Sequence, residues 1–198
     1  KGSSSTGTDL TIPGVLSVGA ISTAAATAGT YTITLNDNTL IGTTMTGGAA
    51  IDIFTGTGGA DIISTGAAAD TLIGGAGNDT LTDAAGASSA SGGAGNDTIT
   101  MGAGNDSVTG GAGNDTITGG EGADTITPGT GVDSIFLTET TATTDIIITT
   151  VGAAYTAASM DSLTGLSVVA AASGGDNIDI DLSDMEAAGD ITDVVLAG

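Results

Sequence analysis

The sequence predicts an all-β protein built from a short repeat, and three observations point there. A nine-residue period rich in Gly, Thr and Ala runs from Gly47 to Phe136. Within a period, triplets such as Thr98-Ile99-Thr100 alternate polar, apolar, polar, as a half-buried strand does. The 198 residues hold 35 Gly but only two Phe, two Tyr and no Trp. That composition cannot build a core centred on aromatics, but it suits a flat, layered core of small and β-branched residues.

The repeat is continuous. Ten nonamers follow one another from Gly47 without a gap. The clearest is Gly74-Gly75-Ala76-Gly77-Asn78-Asp79-Thr80-Leu81-Thr82, and those starting at Gly92 and Gly110 match it closely. Position 6 is Asp52, Asp61, Asp70, Asp79, Asp97, Asp106, Asp115, Asp124 and Asp133, failing only at Ser88 in the weak repeat 83–91. Position 8 stays apolar throughout, through Phe54, Ile63, Leu72, Leu81, Ala90, Ile99, Val108, Ile117, Ile126 and Ile135. The register therefore survives the weak repeat, which a Gly/Asp-rich linker would not achieve. Position 8 is expected to point between two sheets, and positions 7 and 9 toward solvent.

Charge narrows the function. Twenty-three acidic residues face one basic residue, Lys1, for a net charge of −22. Such a chain repels phosphate, which argues against nucleic acid as a partner and against anionic membrane surfaces. No apolar run approaches the length that crosses a bilayer as a helix, so no membrane insertion is expected. High net charge usually means disorder, yet 39% of the residues are hydrophobic and they recur regularly. The two facts agree if folding neutralises the acids, and divalent cations are the natural agent. Cysteine is absent, so a bound metal would replace disulfides as the staple.

Glycine and aspartate together supply the chemistry of such a site. Glycines let carbonyl oxygens converge on one point. Ca²⁺ takes 6–8 hard oxygen ligands from carboxylates and carbonyls. The candidate carbonyl donors are Gly75, Gly77, Gly93, Gly95, Gly102, Gly104, Gly111, Gly113, Gly120 and Gly122. The glycines do not form phosphate loops, because no Gly-Lys-Ser/Thr follows them.

The nonamer resembles the RTX (repeats-in-toxin) family, whose repeat reads Gly-Gly-x-Gly-x-Asp-x-aliphatic-x. The resemblance implies a parallel β-roll in which six residues turn and bind calcium and three form a short strand. Two nonamers then make one coil, and each ion lies between a turn and the next turn on the same side. Six well-formed sites follow, from the pairs Asp52/Asp70, Asp61/Asp79, Asp79/Asp97, Asp97/Asp115, Asp106/Asp124 and Asp115/Asp133. Pairs containing Ser88 should be weak or empty, so Ser88→Asp should add calcium capacity. The earliest repeats depart from the pattern, with Ala50 and Ala68 at position 4.

The run divides the chain into residues 1–46, 47–136 and 137–198. Residues 1–8 read as a tail. Tyr31, Ile33 and Leu35 alternate with Thr30, Thr32 and Thr34 as a strand, and Asn36-Asp37-Asn38 reads as a turn. This segment is expected to cap the roll or to offer an edge to a neighbouring subunit. Beyond Phe136, residues 145–150 are β-branched. The segment from Asp176 to Ser183 resembles the strand that closes many RTX modules. Asp176, Asp179, Asp181 and Asp184 there are candidates for one further calcium. No basic region followed by an apolar stretch opens the chain. Its last residues, Asp193 to Gly198, are similar to the C-terminal signals of type I secretion substrates.

Catalysis is not expected. His, Cys and Arg are all absent, which removes zinc motifs and nucleophile–histidine triads. A carboxylate-pair mechanism would have to draw on acids already placed in the repeat, with no Trp platform for a sugar. The sequence instead points to a calcium-dependent extracellular structural protein, a surface-layer or filament subunit that self-associates at a bacterial cell surface. Cell-surface polysaccharide is a second candidate partner. The alternatives are a secretion and folding module of a larger exoprotein, or an adhesin or ice-binding module using Asn78, Asn96, Asn105 and Asn114 at position 5.

Overall fold

The structure is a computed structural model that describes residues 9–12, 20–25, 27–35, 42–137, 146–149, 154–157, 167–170 and 178–180. Its strands are β1 (Asp9–Ile12), β2 (Ala20–Ser22), β3 (Thr30–Leu35), β4 (Thr44–Thr46), β5 (Ile51–Thr55) and β6 (Ile62–Ser64). Then come β7 (Thr71–Ala76), β8 (Thr80–Thr82), β9 (Ser89–Ala94), β10 (Thr98–Thr100), β11 (Ser107–Ala112) and β12 (Thr116–Thr118). The last are β13 (Thr125–Thr130), β14 (Val132–Phe136), β15 (Ile146–Thr149), β16 (Ala154–Ala157), β17 (Ser167–Ala170) and β18 (Ile178–Ile180).

Odd-numbered strands form one nine-stranded sheet and even-numbered strands the other. Every neighbouring pair is parallel, as in β8, β10 and β12, where Leu81, Ile99 and Ile117 stand in register. The chain thus alternates between two sheets and advances one strand per coil, which is the β-roll the repeat predicts.

Position 8 builds the core. Phe54, Leu72, Ala90, Val108 and Ile126 form one column. Ile63, Leu81, Ile99, Ile117 and Ile135 form the opposing one. All are buried, while positions 7 and 9 are for the most part exposed or half-buried. Burying each large aliphatic side chain stabilises the roll by roughly 1.5–3 kcal/mol. No aromatic layer is required.

Two features differ from the simple repeat. Even strands of the roll such as β8, β10 and β12 have three residues, but β7, β9, β11 and β13 have six. The longer strands continue through the first three residues of the next nonamer, pairing Gly75 with Gly93 and Ala76 with Ala94. At the other turn, Ala67, Ala85, Ala103 and Glu121 pair only as isolated bridges. At position 1 the first side carries Gly74, Gly92, Gly110 and Pro128, and the second Thr65, Asp83, Met101 and Gly119, so that position alone does not set the strand length.

The second feature is that coiling continues beyond the nonamers. Ile33 pairs with Phe54, Leu10 with Ile33, Ile126 with Ile147, and Ile147 with Val168. The expected strand at Tyr31–Leu35 is β3, with Ile33 and Leu35 buried. Flanking coils are longer, however. The steps from Ile33 to Phe54 and from Ile126 to Ile147 each exceed the two-nonamer step from Phe54 to Leu72 inside the repeat. Their strands join the same two sheets as the repeat, though no nonamer is present.

Candidate metal centre

Each turn carries its Asp inward. Asp52, Asp61, Asp70, Asp79, Asp97, Asp106, Asp115, Asp124 and Asp133 are all buried, with at most 2% of their surface exposed. They form two ladders, one along each edge of the roll. In the first, the backbone N–H of each Asp donates to Oδ1 of the Asp one coil on. Asp61 reaches Asp79 at 2.7 Å, Asp79 reaches Asp97 at 2.8 Å, Asp97 reaches Asp115 at 2.9 Å, and Asp115 reaches Asp133 at 2.8 Å. In the second, Asp52 donates to Asp70 at 2.8 Å, Ser88 to Asp106 at 2.8 Å, and Asp106 to Asp124 at 2.8 Å. The Asp70 N–H instead donates to Ser88 Oγ at 3.0 Å.

The second carboxylate oxygen separates the repeats. At Asp52, Oδ2 accepts from the Gly48 N–H at 3.0 Å and Oδ1 from Thr23 Oγ1 at 2.7 Å. At Asp61, Oδ2 accepts from the Thr57 N–H at 2.7 Å and Oδ1 from the Thr43 N–H at 2.5 Å. At Asp79, Asp97, Asp106 and Asp115, Oδ2 is buried with no hydrogen-bond donor. A buried carboxylate oxygen without a donor is costly unless a proton or a cation meets it.

Position 1 frames that oxygen. A Cβ built on Gly74 would collide with Asp79 Oδ2 and with the carbonyl oxygen of Gly92, one coil on. The same two oxygen types face Gly56, Gly92 and Gly110. Glycine therefore keeps open a cradle lined by a carboxylate of its own turn and a carbonyl of the next. Position 4 adds a second oxygen column. Gly95 holds φ +132°, and a Cβ there would strike the Gly77 carbonyl oxygen; Gly113 stands in the same relation to Gly95, and Gly122 to Gly104. The position-2 carbonyls of Gly75, Gly93 and Gly111 point along the roll axis in the same way, as does that of Gly102 beneath Gly120. No three acidic side chains converge on one point among the described residues. A cation in either ladder must therefore draw most of its ligands from carbonyls.

The family model for the RTX calcium-binding nonapeptide repeat (4 copies) matches residues 46–81, 73–108 and 100–135. Residues 46–135 are RTX repeats. No curated protein and no solved structure matches the chain.

The donor set of the RTX roll fits calcium. It offers hard oxygens only: buried carboxylates lacking a donor and carbonyls held by glycine turns. When bound, the ion supplies the positive charge that these oxygens lack. Burial pushes the carboxyls of Asp79, Asp106 and Asp115 up to about 6, with neighbouring carboxylates adding to the shift. Asp70 rises to about 6 for the same reason, and burial also raises Asp97 and Asp133. The raised values mark sites that favour a neutralising partner.

The roll brings the expected Asp columns together. Of the flanking candidates, Asp176, Asp181 and Asp184 lie outside the described residues, as does the C-terminal segment 193–198. Asp179 is the central residue of β18 and pairs with Thr156. The position-5 asparagines hold neighbouring coils together. Asn78 and Asn96 Oδ1 accept from the backbone N–H groups of Asn96 and Asn114 at 2.9 and 2.8 Å. That use of the carboxamides does not favour a free Asn array for ice.

One residue of the ladders escapes the repeat pattern. Asp83, at position 1 of the weak repeat, is 2% exposed. Its Oδ1 accepts from Thr65 Oγ1 at 2.7 Å, and its Oδ2 is buried without a donor. The available signal is that the repeat lacking Asp at position 6 carries one at position 1.

Proposed function

We propose that this chain is a calcium-dependent extracellular structural protein, a surface-layer or filament subunit, whose RTX roll folds and rigidifies on binding Ca²⁺. The observation that carries the calcium part is the pair of ladders of buried carboxylates, with Asp79, Asp97, Asp106 and Asp115 each holding an oxygen that no donor meets. With a net charge of −22 and one basic residue, the chain has no internal set of cations able to neutralise them. About six ions would offset roughly half of that charge. In a cell interior poor in calcium the turns repel one another; outside, they close.

Composition and continuity support the structural part. The described flanking strands extend both sheets past the repeat in each direction, so the roll is a brace within a longer parallel stack. Neighbouring subunits are the partners this reading assigns, with cell-surface polysaccharide second. Electron microscopy of purified protein with added Ca²⁺ tests it. Lattices or filaments are expected, and persistent monomers at high protein and calcium concentration would overturn assembly.

A second reading is a calcium-binding secretion and folding module of a larger type I-secreted exoprotein. It is favoured by the confinement of the RTX match to residues 46–135. The length of the native product in culture medium separates the two: a much larger chain supports the module.

A further inference from the structure

The repeat 83–91 looks like a gap in the second ladder, because Ser88 stands where every other repeat has Asp. The geometry does not leave a gap. In the first ladder each Asp plays two parts. Its Oδ1 accepts the N–H from the preceding coil, and its Oδ2 brings negative charge to the space above the position-1 α-carbon. In the weak repeat these parts are split between two side chains. Ser88 Oγ accepts the Asp70 N–H at 3.0 Å and donates to the Ala68 carbonyl at 3.2 Å, which reproduces the part of Oδ1 without the charge. Asp83 stands at position 1, so its side chain leaves the backbone into the space of its own turn that corresponds to the one Asp79 Oδ2 fills beside Gly74 in the first ladder.

We propose that Asp83 is a divalent-cation ligand, and that with the turn carbonyls it completes a calcium site of the second ladder at the repeat that lacks its aspartate. Two facts carry this. Asp83 is 2% exposed, so its carboxylate lies inside the roll. Its Oδ2 is buried and meets no hydrogen-bond donor, while Thr65 Oγ1 holds Oδ1 at 2.7 Å and so orients the group. The second ladder therefore runs Asp52, Asp70, Asp83, Asp106, Asp124 without an uncharged step. Thr65 is a positioning residue. On this assignment Ser88→Asp adds no capacity, contrary to the sequence-based expectation, since the charge that substitution would bring is already there.

The assignment rests on the calcium reading of the roll, and the test separates the two. Bound Ca²⁺ per chain is counted by native mass spectrometry across a calcium titration, with far-UV circular dichroism as the folding control. Asp83→Asn is expected to bind at least one ion fewer than the wild type at the same calcium concentration. Ser88→Asp is expected to leave the count unchanged, and Asp83→Gly/Ser88→Asp, which restores the common repeat, to return it to the wild-type value. An Asp83→Asn chain with wild-type count and affinity overturns the assignment alone. So does a Ser88→Asp chain that binds additional ions, and this arm decides the matter if Asp83→Asn does not fold. A wild-type chain that takes up no Ca²⁺ overturns the calcium reading together with the assignment.

Discussion

The backbone N–H of Asp97 donates to Oδ1 of Asp115 at 2.9 Å, across one complete coil of the roll. The Asp97 carboxylate accepts in turn from the Asp79 N–H at 2.8 Å. Asp97 thus belongs to two turn pairs at once. Replacing it with Ala should remove about two calcium ions, since each ion needs hard oxygens from both turns of its pair. Isothermal titration calorimetry checks this, with a loss of one ion or none counting against shared sites.

Acidity should act oppositely on the calcium-free and calcium-loaded chains. Asp70, Asp79, Asp106 and Asp115 rise from 3.8 to about 6 in the fold. An acid whose folded value is raised stabilises the fold when protonated. That contribution is complete below about pH 4 and is lost as pH rises through about 6. Metal-stripped protein should therefore gain β signal in far-UV circular dichroism between pH 7 and pH 4. Protons compete with calcium for the same oxygens, so the midpoint of a calcium titration should move to higher calcium at pH 5.5 than at pH 7.5. A midpoint independent of pH would exclude these carboxylates as ligands.

Ala68 occupies position 4 with φ +138°, where most other repeats place Gly. A side chain in that region costs energy that glycine avoids. Ala68→Gly should stabilise the calcium-loaded protein by about 1 kcal/mol, read as an increase in Tm. A decrease would show that the turn gains nothing from glycine there.

Ile117 is fully buried at position 8, between Ile99 and Ile135 of its column. Ile117→Ala should cost ~2–5 kcal/mol through lost burial and an unfilled cavity. Urea denaturation in saturating calcium measures it. A cost below about 1 kcal/mol would mean that neighbouring coils collapse onto the gap.

The parts of this fold that the sequence makes legible are those tied to the period of nine. Asp79, Asp97 and Asp115 share a phase, as do Leu81, Ile99 and Ile117, and the structure stacks both sets in register. The flanking coils are less legible because their period is not nine. The longer connection from Ile33 to Phe54 brings the same kind of side chain to the same column without repeating the motif. The six-residue strands are also hidden, because their extra pairs form at Gly75 and Gly93, where side-chain alternation carries no signal. Asp83 is hidden for a different reason. A repeat alignment scores each position separately, whereas the interior of the roll responds to where a carboxylate arrives, from position 1 or from position 6.

Folding of the roll should depend on neutralisation of its inward carboxylates by calcium. The decisive measurement is far-UV circular dichroism at pH 7.5, recorded on one sample in excess chelator and again after excess Ca²⁺. A largely disordered spectrum is expected in chelator, and a strong β spectrum after calcium. A strong β spectrum that persists in excess chelator would contradict calcium-dependent folding.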